Sequence, residues 1–126
     1  MHRVYKGLFF GAIASAIAFS VHAGTVTCEG TVAALSYHQP GQLHLALSSM
    51  NTIVKLCSTD QEWVTPGSLY GTTTIVSCMT IYSLAVAAKK SGTTVSITFD
   101  GDQMPSSCTS FAAWTPVNVR YIHLYP

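Results

Sequence analysis

The spacing of apolar residues changes character several times along the chain, and each change marks an element. Residues 8–20 (LFFGAIASAIAFS) are an unbroken apolar and small-residue run without period. Residues 25–37 (TVTCEGTVAALSY) are rich in β-branched side chains and predict a strand, with Gly30 at its middle as a bend or bulge. Pro40-Gly41 then predicts a type II turn, glycine supplying the positive φ. Residues 42–48 (QLHLALS) alternate, Leu43, Leu45 and Leu47 on one face and Gln42, His44 and Ala46 on the other; this predicts a half-buried strand with His44 pointing outward. Residues 52–57 (TIVKLC) complete a three-stranded meander. From 75 to 90 the period lengthens, Cys78, Ile81, Ala85 and Ala88 recurring at steps of three and four, which predicts a helix. Thr73, Thr74 and Ser77 offer capping hydroxyls, Lys89 and Lys90 suit the negative end of its dipole, and Gly92 suits the left-handed residue that ends it. Strict alternation returns in residues 93–99 (TTVSITF). Residues 117–125 (VNVRYIHLY) form the last predicted strand, with Val117, Val119, Tyr121, His123 and Tyr125 on one face. Residues 58–71 and 100–116, with their glycines and prolines, read as loops.

The first apolar run follows Arg3 and Lys6 and is followed by Val21-His22-Ala23, giving small residues at −3 and −1 before Gly24. That is the pattern of a secretory signal peptide over residues 1–23, leaving one domain over 24–126. A run of 13 residues is too short to span a bilayer comfortably, so no membrane span is expected after cleavage. The protein is expected to be periplasmic or secreted. Removing the signal also changes the charge. The whole chain carries +1, but Lys55, Lys89, Lys90 and Arg120 against Glu29, Asp60, Glu62, Asp100 and Asp102 leave the domain at −1. Four cations cannot supply the phosphate neutralisation on which nucleic-acid binding rests, so that partner is not expected. With only 9% of residues charged, the surface tilts towards self-association or a partner.

Cys28, Cys57, Cys78 and Cys108 all follow the signal, and an even count in an exported chain reads as two disulfides. Zinc sites favour close cysteine pairs, whereas the nearest two here are 21 positions apart, so no metal is expected. The predicted order, β-β-β-α-β-β, is that of the OB-fold, a five-stranded, partly open barrel. In such a barrel the first strand starts beside the end of the fourth, and the third strand feeds the helix. Of three connectivities this selects Cys28–Cys108 and Cys57–Cys78, worth about 4 and about 3 kcal/mol by loop entropy.

Residues 79–99 (MTIYSLAVAAKKSGTTVSITF), a Tyr- and Ala-rich helix, a Ser-Gly break and an alternating strand, resemble the same segment in the binding subunits of pentameric bacterial toxins of the subtilase-cytotoxin and typhoid-toxin group. Those subunits also join a central strand to the residues before the helix by a disulfide, similar to Cys57 and Cys78. The wider sequence is similar to small exported bacterial proteins. The resemblance implies the barrel, a ring-like homo-oligomer (a pentamer) and a glycan ligand. It carries over no binding residue, because the toxins' sugar-binding strand and loop have no match here. Ser83, Ala85, Ala87 and Ala88 are small enough for close backbone approach, either to neighbours in a ring or to the domain's own barrel.

No enzyme is expected. His38, His44 and His123 stand in no nucleophile motif, and the cysteines are assigned to disulfides. Asp100-Gly101-Asp102 is a turn rather than a calcium loop, since the remaining oxygen ligands are missing from the spacing. No cofactor is implied. Trp63, Tyr70, Phe111 and Trp114 lie in the polar loops, where each either covers the apolar face of a sugar or peptide or plugs an open end of the barrel. Tyr37, His38 and His44 flank the first turn and line either a shallow polar surface or a solvated sheet face. The function expected is a glycan-binding module; the alternative is a monomeric exported inhibitor or envelope-associated protein that binds a protein partner.

Overall fold

The structure, a computed structural model, describes residues 24–69 and 71–126; the predicted signal peptide and Tyr70 lie outside them. Among the described residues the strands are β1 (Gly24–Gly30), β2 (Val32–His38), β3 (Gln42–Leu47), β4 (Val54–Ser58), β5 (Val95–Gly101) and β6 (Asn118–Leu124). The helix α1 (Ile75–Ser91) lies between β4 and β5. The Thr74 side chain accepts the Ser77 N–H at the start of α1, and Gly92 ends it in the left-handed conformation at φ 67°. Its buried residues are Cys78, Ile81, Ala85 and Ala88, so two of the four small residues pack on the domain's own core.

The domain is mainly β with one helix, but it has six strands in two three-stranded antiparallel sheets, β1-β5-β6 and β2-β3-β4, not the expected five. The extra strand comes from the segment read as one bent strand. Its first half pairs with β5 and its second half with β3, and the break falls at Thr31. Gly30 permits the break by close approach: a Cβ there would stand 2.5 Å from Ser48 Oγ. The sheets meet where the chain entering β6 runs parallel to β4. There the Lys55 N–H donates to Thr115 O and the Val117 N–H to Lys55 O, both at 3.0 Å.

Leu43, Leu45, Leu47, Leu56, Ile97 and Phe99 fill the core between the sheets, each fully buried and worth roughly 1.5–3 kcal/mol. Two local expectations are corrected. The turn after β2 is closed by the Gly41 N–H on His38 O at 2.9 Å with a cis Gln39–Pro40 bond. Proline at its third position makes it a type VI turn rather than type II. In β6, Val119 pairs with Phe99 but Tyr121 pairs with Thr98, so Arg120 is an extra residue that swaps the faces. Val117 is buried, Ile122 and Leu124 turn half inward, and Tyr121, His123 and Tyr125 are exposed instead of sharing an apolar face.

Disulfides join Cys28 to Cys108 and Cys57 to Cys78, each with a Cα–Cα distance of 5.7 Å. They are compatible with an oxidising, extracytoplasmic compartment. No helix among the described residues is long and apolar enough to cross a membrane. Asp100 is fully buried: one carboxylate oxygen accepts from Asn118 Nδ2 at 2.8 Å and the other from the Leu69 N–H at 3.3 Å. Asn118 in turn accepts from Thr73 Oγ1 at 2.7 Å, which ties the 59–74 loop to both β5 and β6.

Candidate functional site

The outer face of the β2-β3-β4 sheet carries an aromatic cluster. Ser36 on β2 is the direct cross-strand partner of His44 on β3, and Lys55 on β4 is His44's partner on the other side. Alternation places His38 on the same face as Ser36, two residues along. Over these side chains lies Trp114, brought there because the end of the 102–117 loop is bonded along β4: the Trp114 N–H donates to Ile53 O at 3.0 Å, and the parallel bonds of Lys55 follow. The indole centroid is 4.9 Å from that of His44 and 5.5 Å from that of His38, and the two imidazoles are 4.4 Å apart.

Two features of this cluster are unusual. Trp114 has φ 63°, the left-handed region, and is the described non-glycine residue with positive φ. A bulky residue held there costs on the order of 1–3 kcal/mol and persists only where its surroundings enforce it. The residue is nevertheless 44% exposed. Beneath it, His44 is buried, and neither ring nitrogen nor the neighbouring Ser36 Oγ has a hydrogen-bond partner among the described residues. Each such group costs about 1–3 kcal/mol. Burial pushes the His44 pKa below its ordinary value, helped by the charges of His38 and Lys55, so His44 is neutral at pH 7.

The residues singled out in the sequence separate on this geometry. His44 does not point into solvent: it lies on the face away from the core, as alternation requires, but the rings of His38 and Trp114 cover it. Phe111 is in the core at 4% exposure, edge-to-face with Phe99 at 5.8 Å, and presents nothing to a ligand. Trp63 is half-buried and its indole N–H donates to Val117 O at 3.0 Å. Tyr37 is 55% exposed, but it pairs with Leu43 and so stands on the opposite face of β2 from His38. Tyr70 lies outside the described residues. His38, His44 and Trp114 are thus brought together. Ser36 and Lys55 join them unforeseen: the β2–β3 register that pairs Ser36 with His44 is set by a turn read as the wrong type, and the β3–β4 register that pairs Lys55 with His44 shifts between Leu43 and His44.

A second surface lies between the helix and the last strand. A groove of about 310 Å³ runs between α1 and β6, lined by residues including Val76, Thr80, Ile81, Tyr121 and Ile122. Val76 and Tyr121 are exposed at 74% and 51%. Ile75, Met79 and Tyr82, at helical spacing, continue the exposed apolar surface on the other flank of α1.

The fold and this site together define a small, doubly disulfide-bonded β domain with a tryptophan platform on one sheet face. No family model, curated protein or solved structure matches the chain.

Proposed function

We propose that the protein is an exported, non-enzymatic binding module that takes a cell-surface glycan on the outer face of β2-β3-β4, with Trp114 as its platform. The observation that carries this reading is Trp114 itself, an indole held over the sheet in a strained backbone conformation with its ring presented to solvent. An exposed, immobilised indole is the surface on which the apolar face of a sugar packs, at little entropic cost. A reading of the fold supports it. If β1 and β2 are the halves of one bent strand and the parallel contact of β4 with residues 115–117 is the seam, the domain is an OB-fold-like barrel. That fold binds ligands on its second and third strands and the loops beside them. In this chain those parts are β3, β4, the 39–41 turn and the 102–117 loop, where His44, Lys55 and Trp114 lie, with His38 at the end of β2 beside them.

The arrangement of Ser36 and His44 favours binding over catalysis. They are neighbours, yet not hydrogen-bonded to each other, and the charged groups that act on His44 include no carboxylate to orient it. The test is a glycan array probed with the wild-type protein and with Trp114→Ala. Binding to a defined set of glycans, lost by tenfold or more in Trp114→Ala with the circular dichroism unchanged, is the expected result. An empty array overturns the reading.

A second reading rests on the apolar surface about α1 and β6, which favours a protein on that side. A further copy of the chain would make the ring-like oligomer, a pentamer, that the toxin resemblance implies. A different protein would make this the monomeric inhibitor or envelope-associated partner. Light scattering distinguishes them, a pentamer supporting the ring and a monomer the alternative.

A further inference from the structure

We propose that His38, His44 and Trp114 form an acid-opened latch: at neutral pH the uncharged His44 ring seats the Trp114 indole on the sheet face, and acidification drives the indole off. The consequence for a ligand rests on the binding reading of this same face; the latch itself does not.

The geometry carries it in three steps. First, His44 is at 1% exposure with both ring nitrogens unpartnered, so a proton added to it creates a charge with neither water nor acceptor. Second, the titratable groups that act on it, His38 and Lys55, are both basic. His38 on β2 stands 4.4 Å away ring to ring, and Lys55 on β4 is its cross-strand partner. Ser36, its partner on β2, is neutral, and so is Trp114 on the loop. Asp60, two residues past β4, lies against Gly41 in the 39–41 turn, and no carboxylate is among the groups that act on His44. An indole face attracts a cation, whereas burial, first, and then the charges of His38 and Lys55 act in the opposite direction and lower the His44 pKa. Third, the part that can yield is Trp114. Its backbone already holds a left-handed φ of 63°, its ring is partly in solvent, and moving it lets water reach His44 without opening the core. Protonation and release of the indole therefore reinforce each other, which is what a histidine switch requires.

The experiment follows the two rings in the full protein without ligand. Tryptophan emission of the wild type, less that of Trp114→Phe, is recorded from about pH 7.5 to about pH 5. The His44 ring and Trp114 indole NMR signals are titrated in parallel. The expected result is a change in the Trp114 emission with a midpoint below 6.5, the ordinary histidine value, coinciding with the His44 titration. His44→Phe, which keeps the ring and removes the proton site, is expected to abolish it. A Trp114 signal that does not move, or moves apart from His44, overturns the latch, and the wild-type NMR decides this even if His44→Phe fails to fold. Glycan binding at the two pH values is read separately. Weaker binding at the lower pH supports the latch as a control on the site, and equal binding overturns that control. An array empty at both pH values overturns the binding reading while the ring titrations still decide the latch.

Discussion

The two tryptophan loops began as equals and ended as opposites. Residues 59–74 and 102–117 are both polar, both contain proline, and each holds one tryptophan. Trp63 exchanges both backbone hydrogen bonds with Thr73, at 3.0 and 2.9 Å, and its indole N–H is spent on Val117 O. It is a strut between its loop and the entry to β6. Trp114 donates only its backbone N–H, to Ile53 O, and leaves its ring on the surface over two histidines. The difference lies in where the polar atom of each ring ends up. An indole whose N–H is paired inside becomes part of the fold; one left partly exposed over a sheet face becomes a surface for something else.

The largest effect should come from breaking the strut. Trp63→Ala removes a half-buried ring and a hydrogen bond together and is expected to cost about 3 kcal/mol in urea unfolding. Trp63→Phe keeps the packing and leaves Val117 O unpaired, at about 1 kcal/mol. Trp114→Ala should change stability by less than about 1 kcal/mol while abolishing glycan binding. If the Trp114 substitution proves the more destabilising, the roles assigned to the two rings are reversed.

Sequence periodicity reached far into the fold and only partway into the site. The helix was legible because its signals are local: three- and four-residue spacing, the Thr74 cap and the Gly92 stop all lie within one stretch of chain. The disulfide pairing was legible because strand order brings Cys28 to Cys108 and Cys57 to Cys78 whether five strands are counted or six. What escaped depends on contacts remote in sequence. Alternation put His44 on the outer face correctly but could not show that a loop 70 residues later would cover it. The Arg120 bulge exchanged the faces of β6 because a period-two pattern carries no warning of an inserted residue. Phe111 followed a polar stretch in a segment read as loop, and only its seat against Phe99 made it core.

A finer cut at the same comparison uses the backbone alone. Trp114 occupies a φ of 63°, which costs an L-residue roughly 1–2 kcal/mol and glycine almost nothing. Trp114→Gly and Trp114→Ala both remove the ring, so their difference isolates the strain. The glycine variant is expected to be the more stable by about 1 kcal/mol in urea unfolding. Equal stabilities would mean that the loop relaxes once the ring is gone, and that the ring's seat on His38 and His44, not the bonds along β4, sets the strained conformation.

The smallest expected effect is on stability against pH, and it separates the two loops most cleanly. An unfolded chain takes up the His44 proton around the ordinary value of 6.5, whereas the folded protein resists it until lower pH. Between those points the unfolded state binds more protons, so unfolding free energy rises with pH there. The contribution is complete above 6.5 and is lost as pH falls from 6.5 towards the lower folded value. Urea midpoints measured on either side of this window should therefore drop on acidification in the wild type and in Trp63→Phe by the same amount, because Trp63 touches no part of the cluster. In His44→Phe the drop should shrink. In Trp114→Ala it should shrink as well, since removing the indole lets water reach His44 and removes much of the burial that lowers its pKa. A Trp114→Ala protein with the full wild-type drop would show that the sheet face, rather than the indole, keeps His44 neutral.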